Sequence, residues 1–184
     1  MKTLIYLFAV AMFLFAGCAK DEIFNDNAGS PELKKAKVPI PFRAELCGTP
    51  DMESEKLPMP IPNTNSYTRK GKFLNGIVTH VGIVDSEKSY SEITSMQFIM
   101  EEGKPFLLQA GTGIIVAKNG DSYKFNGMTK VSLPDLSFTS TTEIIPGSGT
   151  GRFEGISGYT SGGGQVDVVN NTTCWVNEGW MIYE

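Results

Sequence analysis

An antiparallel all-β fold is what this sequence predicts, and three observations predict it. From Tyr67 onward Val, Ile, Phe, Thr and Tyr dominate, and turn residues recur every ten or so positions, the pattern of a sandwich or barrel. Apolar and polar residues alternate over 122–132, where Tyr123, Phe125, Gly127, Thr129 and Val131 share one parity and Ser122, Lys124, Asn126, Met128 and Lys130 the other. No ten-residue window beyond the first seventeen residues carries helical spacing. The expectation is a single antiparallel β-barrel of about eight strands occupying residues 38–184.

The chain opens with a different kind of segment. Met1 and Lys2 precede an uncharged apolar run over 4–16, LIYLFAVAMFLFA. A membrane span takes about 20 apolar residues, so this run has the length of a signal-peptide core instead. It ends in Phe15-Ala16-Gly17-Cys18, small residues directly before a cysteine, which resembles the lipobox of bacterial lipoproteins, with Phe15 where an aliphatic residue is usual. The resemblance implies cleavage after residue 17, acylation of Cys18 and attachment to a membrane through that lipid. Ala19-Lys20-Asp21-Glu22 resembles the signal that exports lipoproteins of the Bacteroidetes to the outer face of the outer membrane. Residues 18–37 are polar, with Asn, Gly, Ser and Pro and no sustained period, and read as a lipidated flexible tether.

The strands follow in order. A first strand is expected over 41–47, and then 49–66 holds four prolines and reads as a long loop. Over 73–83 the odd positions Phe73, Asn75, Ile77, Thr79, Val81 and Ile83 suggest one continuous strand with an apolar odd face. Further strands are expected near 90–100 and 106–117, followed by an Asn119-Gly120 pair, the strongest short hairpin signal, and the strand over 122–132. Strands near 136–145, 157–168 and 173–183 complete the chain.

Residues 147–164 read GSGTGRFEGISGYTSGGG. A phosphate-binding loop needs a Gly-Lys-Ser/Thr and a helix whose N-terminus faces the anion. The stretch has neither, and its later glycines would each cost a helix up to about 1 kcal/mol. Phe153 and Ile156 are three apart, which breaks strict alternation and suggests a bulge or tight bend at Gly155. Gly149-Thr150-Gly151-Arg152-Phe153-Glu154-Gly155 resembles an element of the allene oxide cyclase and dirigent-like β-barrels. Ala117–Gly127 and Thr79-His80-Val81-Gly82 resemble two further elements of the same family, and together the three cover roughly 67–168. The resemblance implies that barrel fold. It implies no activity, because no residue here matches the plant cyclase's catalytic positions.

The candidate chemistry is sparse. The chain carries a formal net charge of −4, and its basic residues cluster only over 33–37, which argues against nucleic acid as a partner. Cys47 and Cys174 lie in the first and last strands, and two readings stand: a disulfide in an exported protein, or two small buried thiols. His80 is the single histidine, which excludes two-His metal sites, and its place within 73–83 makes it a wall histidine. Tyr123 lies on the apolar parity of its strand. Glu143 and Glu178 fall within strands, and an inward carboxylate at either is the one cheap route to catalysis. Trp175 and Trp180, five apart, face opposite sides of an unbroken strand: one in the core, the other a platform for a sugar ring or a partner protein, or a plug at the barrel end. His80, Tyr123, Glu143, Trp175 and Trp180 are therefore the candidate ligand-binding residues. No cofactor or metal is expected. The leading expectation is a non-catalytic outer-membrane lipoprotein that binds a small apolar or carbohydrate ligand or a surface partner. The alternatives are an isomerase or cyclase acting on a lipid-like substrate through His80 and Glu143, and a purely structural surface protein.

Overall fold

The computed structural model describes residues 38–183. The signal segment over 1–17, Cys18 and the tether over 18–37 lie outside the described residues. The described chain forms eleven strands and one short 3₁₀ turn: β1 (Ile40–Pro50), β2 (Lys56–Pro58), β3 (Tyr67–Arg69), β4 (Gly71–Val78), β5 (Gly82–Ile83), β6 (Tyr90–Glu101), β7 (Lys104–Val116), β8 (Ser122–Ser132), β9 (Ser137–Ile144), the turn Gly151–Phe153, β10 (Ile156–Asp167) and β11 (Thr172–Tyr183). Nine of them form one antiparallel sheet in the order β1-β11-β10-β9-β8-β7-β6-β4-β5, and β1 also pairs β4. β2 and β3 form a separate hairpin.

Short, chemically explicit turns set the neighbours. β6 and β7 are joined at Glu102-Gly103, both at positive φ (49° and 77°), the two-residue geometry that suits the twist of a hairpin. Between β7 and β8, Gly120 sits at φ 94°, and the Ala117 amide donates to the Asp121 carbonyl at 2.8 Å, closing the Asn-Gly turn. The β8 alternation places Tyr123 and Val131 in the core and leaves Lys124, Asn126 and Met128 exposed.

β1 brings the two sides of the sheet together. Its even positions Phe42, Ala44, Leu46 and Gly48 are buried while Arg43 and Glu45 are exposed. It pairs β11 from Ile40↔Met181 to Gly48↔Thr173, and β4 from Ala44↔Val78 to Pro50↔Lys72. Cys47 lies opposite Cys174, and the two are joined as a disulfide across 127 residues. A cross-link closing so long a loop typically contributes about 2–4 kcal/mol, chiefly by restricting the unfolded chain. The ring of pairings is uneven: β4 meets β6 only at Gly71–Phe73 with Tyr90–Glu92, and beyond that the edge of β6 is left to the β2–β3 side.

Two local expectations change, and a third is resolved. The strand over 73–83 breaks after Val78, because His80 (φ 64°) and Gly82 (φ 79°) turn the chain so that Ile83 pairs back on Ile77. Its apolar odd face is the outer one: Phe73, Ile77 and Ile83 are exposed, while Leu74 and Val78 are buried. The cause is the register with β1, which sets Leu74 and Val78 beside Gly48 and Ala44 on the buried side. The proline-rich loop over 49–66 contains β2, and Met59 beyond it packs against the core residues Leu107, Val131 and Phe138. At Gly155 the tight bend, of the two alternatives, is what forms. Gly151 (φ 57°) and Gly155 (φ 72°) bracket the 3₁₀ turn that drives Phe153 fully into the core, edge-on to Tyr123 at 5.6 Å. The Arg152 guanidinium ties this turn down by donating to the Val81 carbonyl at 2.9 Å.

The later glycines act by absence of a side chain. A Cβ on Gly162 would lie 2.0 Å from the Val176 carbonyl oxygen, and one on Gly164 1.9 Å from that of Cys174, so β10 and β11 approach closer than any side chain allows. Gly127, in contrast, has room, the nearest atom to a Cβ there being 3.6 Å away. Gly162→Ala should therefore lower the unfolding free energy by about 1–3 kcal/mol or more, and Gly127→Ala should leave it nearly unchanged. Urea melts of the two variants check this, and equal losses would refute the close-approach account.

Candidate functional site

The inward side chains divide the interior in two. At one end Phe42, Leu74, Val78, Ile115, Tyr123, Phe153, Ile156 and Met181 pack as one buried cluster. At the other, Leu107, Val131 and Phe138 form a smaller cluster joined by Met59, Leu133, Val166 and Trp175. Between them the inward positions are small or polar: Gly127 and Thr129 on β8, Ser140 and Thr142 on β9. These side chains cannot fill the space, and a cavity of about 330 Å³ results. That lies at the lower end of the 300–1,000 Å³ typical of small-molecule sites. Its walls are mainly apolar, from Leu107, Val131, Phe138 and Trp175 among others. A more open cleft between β2 and β6, of about 510 Å³, shares Lys70, Glu92 and Ile93 with it.

Buried polar groups at the floor of this space are satisfied. Asn177, almost wholly buried, accepts a hydrogen bond from the Ser140 hydroxyl at 2.7 Å, and its amide donates to the Thr142 Oγ1 at 3.3 Å. A neutral, closed network of this kind holds β9 and β11 in place and offers little to a ligand.

Lys72 is the exception, and sequence reasoning passed over it. It takes an inward position in β4, in the same parity as Leu74 and Val78, and lines the cavity. Its stem passes over Gly48, with Lys72 Cδ 3.4 Å from where a Cβ of that glycine would stand. The only polar neighbour of Nζ among the described residues is the Thr173 hydroxyl at 3.4 Å. Lys88, Lys118 and Lys130, by comparison, each sit within ion-pair reach of a carboxylate. Burial without a counter-ion disfavours the ammonium and holds Lys72 below the ordinary lysine value. The signal that could have found it is its parity: a lysine in phase with the residues that β1 buries.

The candidates named from sequence scatter. Trp175 alone lines the cavity. Tyr123 is a core residue between Phe42 and Phe153, and burial pushes its phenol well above the ordinary tyrosine value. His80 is no wall residue but an exposed turn residue in left-handed backbone, its Nε2 3.3 Å from the Pro41 carbonyl oxygen. Glu143 faces outward, because β9 buries Phe138, Ser140 and Ile144 on the opposite parity. Trp180 is also outside, beside Tyr159 on β10 and Pro41 on β1, with Glu143 the next residue in that cross-strand row. Among the described residues no group of three His, Cys, Asp or Glu side chains could hold a metal ion. A scan against protein-family models, a search of curated proteins and a search of solved structures each returned no match.

The sign of the Lys72 shift makes a prediction. Its folded value lies below the ordinary 10.5, so between the two the unfolded chain holds more protons and stability rises with pH. Lys72→Met removes the uncompensated charge and should be more stable than the native chain by about 1 kcal/mol or more at neutral pH. That advantage should shrink as the pH approaches 10.5. Chemical melts of both proteins across this range measure it; a pH-independent difference would contradict a desolvated ammonium.

Proposed function

We propose that this chain is a non-catalytic outer-membrane lipoprotein, anchored through acylated Cys18, whose sheet wraps as a barrel of the allene oxide cyclase-like kind around a binding site for a small, mainly apolar ligand. The observation that carries the binding reading is the 330 Å³ cavity with its apolar walls and small inward residues. Trp175 supplies a flat apolar wall, and the neighbouring cleft at Lys70 and Glu92 supplies a route in. The enzyme alternative is weaker, since both groups it relied on, His80 and Glu143, are exposed on the outer surface. A second binding reading has its own support: Trp180 and Tyr159, 42% and 41% exposed, stand side by side with Glu143 next in the row, an arrangement suited to stacking a sugar ring against aromatic faces.

Two measurements test the proposal. An uncharged naphthylamine dye should bind the native protein with fluorescence enhancement, and Thr129→Trp, which fills the cavity from β8, should weaken binding at least tenfold. Equal binding by the two would sink the cavity reading and leave the outer aromatic row as the site. Mass analysis of the protein purified from membranes should give an N-terminus at Cys18 carrying fatty acyl chains. An unmodified N-terminus elsewhere would overturn the anchor.

A further inference from the structure

We propose that the cavity captures carbonyl compounds covalently, with the Lys72 amine adding reversibly to an apolar aldehyde or ketone. This inference rests on the cavity-binding reading and names its ligand class. Three observations carry it. Lys72 lines the cavity from an inward strand position, between Pro50 of β1 and Ser91 of β6 in the sheet register. Its Nζ has no carboxylate within 4.0 Å among the described residues, and its one polar neighbour is a hydroxyl. The surrounding wall is mainly apolar.

An anionic head group would fit this environment poorly. Acid recognition gathers several donors around the charge, whereas among the described residues the Thr173 hydroxyl is the one hydrogen-bond partner of the Lys72 Nζ. A carbonyl carbon needs a single nucleophile and an apolar pocket for the rest of the molecule. A desolvated amine meets that requirement, because only the uncharged form is nucleophilic and burial favours it. The other titratable groups facing the cavity are Tyr67 of β3, Lys70, which precedes β4, and Glu92 of β6.

The step balances without an oxidant or reductant. The Nζ lone pair attacks the carbonyl carbon, the π pair moves to oxygen, and a proton passes from nitrogen to oxygen to give a carbinolamine. Loss of that hydroxyl with a second proton as water leaves a C=N bond to Nζ. One amine and one carbonyl give one imine and one water, and hydrolysis reverses it. The Thr173 hydroxyl, 3.4 Å from Nζ, is placed to orient the amine and the departing oxygen.

The test uses the full chain in detergent with octanal and cyanoborohydride, which reduces an imine to a stable secondary amine. We expect one adduct per chain, mapped by peptide mass to Lys72, formed at least tenfold faster than at Lys88 or Lys118. Lys72→Arg and Lys72→Met, each checked for native circular dichroism, should lose that adduct. Excess octanol should slow labelling by competing for the cavity. Adducts spread over exposed lysines with Lys72 unmodified would overturn the proposal, as would tight octanoate binding without an aldehyde adduct. The naphthylamine dye separates the two levels: dye binding without a Lys72 adduct removes only the carbonyl chemistry, and loss of both removes the cavity reading as well.

Discussion

β1 carries hydrogen bonds on both edges, to the last strand of the chain on one side and to β4 on the other. That double pairing is the constraint on which the rest depends. Side chains alternate across a strand, so a slip of one residue would exchange the buried and exposed sets of β1 and, through it, of both neighbours. Phe42, Ala44, Leu46 and Gly48 hold the register from within, and the Cys47–Cys174 disulfide holds it from the outer side, at one point and across 127 residues. Once β1 is set, Leu74 and Val78 must face inward, and so must Lys72.

The cavity is a consequence of composition along the inward parity. Large side chains occupy one end of that parity, where Phe153 arrives from a loop to complete the packing with Tyr123 and Met181. Toward the middle the same parity offers Gly127, Thr129, Ser140 and Thr142. Interiors are normally packed to the density of organic crystals, so a row of small residues opposite one another either draws the strands together or leaves space. At Gly162 and Gly164 the strands do draw together, and no Cβ would fit. Around Gly127 they do not, and the space remains. The same glycine content thus gives close contact in one place and a cavity in another, according to what faces it.

Lys72 differs from the other groups that line this space. Its methylene stem passes over Gly48, and its amine donates to the Thr173 hydroxyl. A lysine in this position costs folding energy, whereas the buried polar groups Asn177, Ser140 and Thr142 satisfy one another.

The sequence by itself determined the class of structure and most of the strands. Alternation over 122–132, the Asn119-Gly120 turn and the regular spacing of turn residues are local properties, and local sterics and hydrogen bonding read them directly. The glycine stretch likewise excluded a phosphate loop on its own terms, for want of a lysine and of helix-forming residues. Which face of a strand is buried, however, is a property of its neighbours. Phe73, Ile77 and Ile83 look like a core face until β1 selects the other parity, and His80 looks like a wall residue until the chain turns back at that point. Glu143 and Trp180 lie outside and Lys72 inside for the same reason. The two faces of a strand are equivalent until pairing across about 20 to 140 residues of intervening chain distinguishes them, and that pairing exists only in the tertiary structure.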